Sequence, residues 1–212
     1  MAGTITALVI QRYNKQRVSV HLDGSFAFGL ALDAAIRLHK GQYLSDADIA
    51  VLCERDHAAS AYERALNYLS YRPRSAEEVR RNLFKHAVPD AVIDETLARL
   101  ERAGLVDDVA FAQYWVESRQ RFRPRSPRAL RYELRQKGLD DSAINAALAE
   151  ADAEALAYDA ARRYQRRMAA DIDPATFHRK LSNHLARLGF AYSLIRAVVS
   201  HLLAERETHE AG

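Results

Sequence analysis

Cysteine is the scarcest reactive group here: of 212 residues, only Cys53 is a cysteine. A single thiol excludes an intrachain disulfide and any zinc cluster built on several cysteines. The sequence reads Cys53 as a small buried side chain. Eight glycines and five prolines are also few. Beside abundant alanine, leucine, arginine and glutamate, that scarcity argues against a low-complexity chain and for helix. No apolar run approaches the ~18 residues of a membrane span. The N-terminus MAGTITALVIQRY lacks the charged head and long apolar core of a secretory signal. The expectation is a soluble, cytosolic protein whose 49% apolar residues suffice for a core.

Catalytic signatures are missing too. There is no Walker-type glycine loop, dinucleotide fingerprint, HExxH pair or nucleophile elbow. The eight histidines are scattered, with no pair at ligand spacing beside a carboxylate. His86 and His178 fall in basic helical segments, where a solvated role is expected. Carboxylates gather at helix starts and solvent faces, where capping and the macrodipole account for them. These gaps point away from an enzyme and imply no cofactor and no metal.

What is present begins with strands. Ile5, Ala7 and Val9 alternate with polar or smaller neighbours, as do Val18, Val20 and Leu22, then Phe26 and Phe28. Asp23-Gly24 supplies the positive φ angles of a tight hairpin, which predicts strands at about 17–23 and 25–29. A first strand at about 4–12 turns through Asn14-Lys15. Three short strands need a cover for their apolar face; Leu30–Leu38 or the following long helix is placed there.

From Ser45 onward the chain reads as helix. Ser45-Asp46 caps a segment running through Ile49, Leu52, Ala59, Tyr62, Leu66 and Leu69 to a break at Arg72-Pro73. Ser75 and Glu78 form a capping box ahead of Val79 and Leu83. Pro89-Asp90 starts another helix with Ile93, Leu97 and Leu100 inward, and Gly104 supplies its left-handed stop.

The pattern then returns. Arg72-Pro-Arg-Ser75 reappears 51 residues later as Arg123-Pro-Arg-Ser126. The same shift carries Val79 to Leu130, Leu83 to Leu134, Val88 to Leu139, Ile93 to Ile144 and Leu97 to Leu148. A second shift of 51 reaches Leu181, Leu185, Phe190, Ile195 and Val199, and carries Gly138 to Gly189. This predicts three tandem three-helix units with first helices near Ala58, Asp108 and Glu154. Asp173-Pro174 stands as N-cap and N1 in the third. Units this small share cores with neighbours. The predicted fold is mainly α, an elongated array of three three-helix units behind a small N-terminal β region. Its segments are 1–44, 45–106, 107–152 and 153–212.

Net charge is only +3, yet charge is sorted into blocks. Arg119–Lys137 holds eight basic residues against Glu133 alone, a local charge of +7, while Gly138–Ala161 carries −6. Concentrated like charge repels itself, and a polyanionic partner offsets that cost. In the basic helix, Arg128, Arg131 and Arg135 occupy i, i+3 and i+7, one outward stripe behind inward Leu130 and Leu134. Arg121, Arg123 and Arg125 approach from the preceding loop, and Lys137 closes the block. Weaker groups flank it: Arg72, Arg74, Arg80, Arg81 and Lys85 in the first unit, and Arg162, Arg163, Arg166 and Arg167 in the third. Arginine's planar fork suits phosphate. The competing reading is a solvated face paired with the acidic 138–161 block. Tyr114 and Trp115, after Phe111, are read as core of the second unit rather than a base-stacking platform.

Taken together, Tyr68-Leu-Ser-Tyr-Arg-Pro-Arg-Ser75 with Glu78 and Leu83, Gly104-Leu-Val-Asp-Asp108 with Phe111-Ala112, Leu130, Leu134, Lys137-Gly-Leu139 and Leu188-Gly-Phe190 resemble the RecX family of recombinase regulators. The resemblance covers about residues 5–205. It implies tandem three-helix units and a non-enzymatic protein that binds RecA and its filament on DNA. Such a protein lies in the filament groove and limits filament growth. A monomer with weak, non-specific contact to single- or double-stranded DNA, and no contact with membrane, is expected. Many family members are Gly- and Lys-rich before the second basic helix, where this chain has Phe122-Arg-Pro-Arg-Ser-Pro127. Two other readings stay open: a nucleic-acid-binding helical regulator acting without RecA, with Arg128–Arg135 as a recognition helix, and a structural helical scaffold.

Overall fold

The computed structural model of the chain describes residues 2–169 and 171–210. The chain divides into two compact units, Met1–Arg74 with Glu78–Val106, and Ser75–Glu77 with Asp107–Gly212.

The first unit opens on an antiparallel sheet of β1 (Gly3–Ile10), β2 (Arg17–Leu22), β3 (Ser25–Ala31) and β4 (Tyr43–Leu44), in the order β3-β2-β1-β4. Asp23 and Gly24 both take positive φ, 48° and 88°, as the predicted two-residue turn requires. Strand β4, absent from the sequence reading, is a two-residue edge paired to Gly3 and Thr4; two residues carry no periodicity. Ile5, Val18, Val20, Leu22 and Leu30 form the buried face. Both expected covers lie against it: α1 (Leu32–Ala35) with Leu38, and Ile49 and Leu52 of α2 (Asp46–Leu69).

Helix α2 starts at the predicted serine, whose hydroxyl accepts the Asp48 N–H while Asp48 accepts the Ser45 N–H. It then runs 24 residues without a break near Ala58. Its buried positions are Asp56, Ala61 and Ala65, whereas Ala59 and Leu66 are exposed. Asp56 clamps helix to sheet: one oxygen accepts the Ala31 N–H at 2.5 Å, the other accepts Arg17 at 2.7 Å. Cys53, expected to be buried, is only half-buried. It lies one turn before Asp56, and burial together with that carboxylate pushes its thiol pKa up. Helices α3 (Ala76–Lys85) and α4 (Asp90–Arg102) bury the predicted Val79, Leu83, Ile93, Leu97 and Leu100. Gly104 ends α4 at φ 66°.

The second unit comprises α5 (Asp108–Phe122), α6 (Pro127–Gln136), α7 (Asp141–Leu148), α8 (Ala153–Gln165), α9 (Pro174–Arg187) and α10 (Tyr192–Glu210). Asp107, Ser126, Asp140, Asp152 and Asp173 each cap the next helix by accepting backbone N–H groups. Such caps satisfy donors that the first turn leaves free. Two clusters follow the predicted apolar positions. Phe111, Leu130, Leu134, Leu139, Ile144 and Leu148 form one; Phe177, Leu181, Leu185, Phe190, Ile195 and Val199 form the other.

The 51-residue period is geometric as well as compositional. Ala87, Gly138 and Gly189 all take positive φ, 57°, 84° and 89°, at one repeat position. Arg80 reaches Asp94, and the residues 51 further on, Arg131 and Asn145, make the same cross-helix contact. Ser126 also locks two three-helix bundles together. Its N–H donates to Leu188 O at 3.0 Å and its hydroxyl to Gly189 O at 2.7 Å. The counterpart Ser75 donates to Lys137 O at 2.7 Å.

Candidate functional site

The first-unit basic group is largely engaged. Arg72 donates twice to Glu78, at 2.8 and 3.1 Å. Arg74 lies 4.1 Å over the Tyr68 ring, and its buried Nε has no hydrogen-bond partner among the described residues. Arg80 pairs with Asp94 at 2.5 Å. Arg81 and Lys85 are exposed.

The stripe on α6 is present but partly neutralised. Arg131 is half-buried and donates to Asn145 at 2.6 Å, while exposed Arg135 pairs with Asp141 at 2.8 Å. The 138–161 segment thus folds back onto two of three stripe residues, but only Arg135 meets a carboxylate there; Asn145 is neutral, so the competing reading's charge pairing reaches one residue of three. Arg128 is exposed and has no hydrogen bond or ion pair among the described residues. Glu133, the local acid, accepts Arg119 at 2.7 Å and the Trp115 indole N–H at 2.9 Å. Arg125 lies 3.5 Å from its other oxygen. Trp115 packs on Phe111, with Arg119 and the Lys137 ammonium over its ring. It belongs to the core margin, as expected. Tyr114 does not: it is 42% exposed, because one residue's rotation on α5 turns it away from α6.

A second gathering of arginines lies in a cavity of about 420 Å³ lined by Arg121–Arg125, Arg163, Arg167, Ala160, Tyr164, His184 and Leu188. Five of its lining residues are arginines and none is a carboxylate. Two arginines build its wall. Arg163 donates to the carbonyls of Gln120 and Arg121, at 3.3 and 2.9 Å, and pairs with Asp159 at 2.7 Å. Arg125 donates to Arg187 O at 3.3 Å. These bonds, with the Ser126 lock, hold the Pro-bounded loop in one conformation. Arg123 and Arg167 are exposed and make no ion pair among the described residues; Arg121 packs 5.1 Å from the centre of the exposed Phe122 ring.

Tyr164 and His184 stack face to face in this cavity, ring centres 4.0 Å apart and planes 4° from parallel. Burial first, then the charges of Arg187 and Arg167, hold His184 below the usual imidazole range, so the ring is neutral at pH 7. Outside the cavity, Arg162 bonds Glu205 at 2.9 and 3.0 Å, and Arg166 Nε donates weakly to Arg162 O at 3.5 Å. The structure therefore brings the loop before α6 and the arginines Arg163 and Arg167 to one place. Sequence reasoning named those arginines in separate groups and missed Tyr164 and His184. Their chain separation of twenty residues (164 to 184) hides the stack.

Among the described residues no helix is long and apolar enough to cross a membrane, and no cluster of His, Cys, Asp and Glu is arranged to hold a metal.

Comparison with known proteins gives a consistent result. Residues 3–45 match the regulatory protein RecX N-terminal domain, 61–100 the RecX first three-helix domain and 107–148 the RecX second three-helix domain. The chain is 34% identical over 220 residues to regulatory protein RecX of Geobacillus kaustophilus, spanning 98% of this chain and 78% of that one. It is 30% identical over 207 residues to regulatory protein RecX of Bacillus subtilis, spanning 96% and 78%. A crystal structure of regulatory protein RecX superposes with a TM-score of 0.63 at 30% identity, covering 93% of this chain and 98% of that one. RecX from Lactobacillus salivarius superposes with 0.56 at 26% identity, covering 70% and 97%.

Proposed function

The chain belongs to the RecX family of regulatory proteins, and on that premise we propose that it binds RecA and its nucleoprotein filament and limits filament growth. Contact with DNA is auxiliary and non-specific. The observation that carries this reading is the match to RecX relatives along nearly the whole chain. The segments 45–106, 107–152 and 153–212 act as the filament-facing repeats, behind the N-terminal segment 1–44. The protein works as a cytoplasmic monomer without a cofactor, in recombinational DNA repair and the SOS response.

Charge supports the contact surface. Arg121, Arg123, Arg128 and Arg167 carry it, since each is exposed and none is held in an ion pair among the described residues. The remaining sequence-named basic residues contribute mainly field, because a surface pair in water is worth only about 0–1 kcal/mol and exchanges readily. Matching of this kind sets orientation and on-rate more than affinity.

The test is RecA-catalysed ATP hydrolysis on single-stranded DNA. Substoichiometric protein is expected to depress hydrolysis. Unchanged hydrolysis at equimolar protein would overturn the reading. Tight, salt-insensitive binding to one duplex sequence would instead favour a regulator acting without RecA.

A further inference from the structure

We propose that the arginine cavity between the Phe122–Arg125 loop and helices α8 and α9 is a binding site for single-stranded nucleic acid, taking a backbone phosphate on Arg123 and Arg167 and an unpaired base on its aromatic wall. It deepens the auxiliary DNA contact of the proposed function and rests on that part of it.

Three observations converge. The cavity is lined by five arginines and no carboxylate; of these five, Asp159 and Glu133, outside the lining, pair only with the wall arginines Arg163 and Arg125. Two of the five are fixed by carbonyl acceptors and hold the loop, while Arg123 and Arg167 have no ion-pair partner among the described residues. A phosphate entering between them meets charge-assisted donors whose scaffold is already ordered. The third observation is aromatic. Phe122 is 70% exposed beside the cavity, and the stacked Tyr164–His184 pair lines it.

Shape selects the single strand. A cavity of about 420 Å³ is nucleotide-sized, not the long track a duplex backbone would follow. Bases in a duplex have both faces covered by neighbours, so only an unpaired base can lie on Phe122 or the Tyr164–His184 wall. Arginine with aromatic rings is the combination that single-strand grooves use without reading sequence. The α6 stripe offers no such wall: Tyr132 is exposed there, but two of its three arginines are engaged by Asn145 and Asp141.

The experiment is fluorescence anisotropy with a labelled oligothymidylate, in the absence of RecA, over a range of salt. The double variant Arg123→Ser/Arg167→Ser is compared with Arg131→Ser/Arg135→Ser, the two engaged arginines on the α6 face. Circular dichroism and thermal unfolding establish that both are folded. The cavity variant is expected to bind about tenfold or more weakly and to lower the salt slope by about 0.7, the value for one phosphate contact on a single strand. The α6 variant should change affinity by less than about threefold.

Phe122→Ala should weaken the thymidylate strand but not an abasic strand of equal length. Wild-type affinity in the cavity variant, or an equal loss in the α6 variant, overturns the proposal. So does displacement by polyglutamate at concentrations where an oligonucleotide fails to displace, which would assign the cavity to acidic protein. Equal binding of abasic and thymidylate strands overturns the base contact. Since the assay holds no RecA, failure of the wild-type protein to bind single strand beside intact RecA inhibition counts against this site alone. Single-strand binding without RecA inhibition counts against the proposed function alone.

Discussion

Gly189 offers a sharp test of how the last two three-helix bundles are joined. Its φ is 89°, so alanine there carries left-handed strain of about 1–2 kcal/mol. A methyl group would also lie 2.9 Å from Ser126 Oγ and 3.0 Å from Ala129 Cβ. Ser126 is buried, caps α6 through the Ala129 N–H and donates to the Gly189 carbonyl. Pushing it aside removes a cap and a buried bond, about another 1–2 kcal/mol. Gly189→Ala should therefore cost about 2–4 kcal/mol. Gly104, with a φ of 66° and nothing near its missing Cβ, supplies the strain-only reference at about 1–2 kcal/mol.

A double-mutant cycle isolates the clash. Ser126→Ala alone costs about 1–2 kcal/mol. It also deletes the oxygen that the new methyl strikes, so the double variant should cost less than the sum by about 1–2 kcal/mol. The assay is urea denaturation read by Trp115 fluorescence, since the chain's single tryptophan packs against the neighbouring core. Additivity within about 0.5 kcal/mol would refute the lock and leave only backbone strain at Gly189.

Other expectations follow from the same geometry. Asp56→Ala removes a buried carboxylate from two half-buried partners, Arg17 and the Ala31 N–H, and should cost about 1.5–3 kcal/mol in chemical denaturation. Changing Arg128, Arg131 and Arg135 together to Glu should leave the unfolding midpoint close to wild type, because their contacts lie at the surface; collapse of the fold would place the stripe inside. His184 has a folded-state pKa below its unfolded value, so the unfolded state binds more protons once pH falls below about 6.5. Its contribution is therefore absent at higher pH and destabilising as pH drops from there toward the lowered value. Measured at pH 7.5 and pH 5, His184→Gln should lose less stability on acidification than wild type, and an identical loss would refute that assignment.

Much of the fold was legible because its signals are local. Asp23-Gly24 specifies its own turn, Ser45 and Asp173 cap helices three residues away, and the apolar positions of α3, α6 and α9 repeat at one spacing. Even the glycine at 138 and 189 was visible, although the same left-handed position in the first unit is filled by Ala87, which no propensity would nominate. What stayed hidden depends on approach through space. Asp56 reads as a solvated helix carboxylate until residues 17 and 31 are brought beside it. The charge block was evident, but not which of its arginines are engaged. Only the fold reveals that Arg72, Arg80, Arg135 and Arg162 have acidic partners while Arg123, Arg128 and Arg167 have none among the described residues. The Tyr164–His184 stack lay outside any period in the sequence.

The most direct measurement of the central claim is filament length. RecA is assembled on single-stranded DNA and imaged with substoichiometric wild-type protein or with the folded Arg123→Ser/Arg128→Ser/Arg167→Ser variant. Short filaments with wild type and near-normal ones with the variant are predicted. Filaments of full length in the presence of wild type, or equal shortening by both proteins, would contradict it.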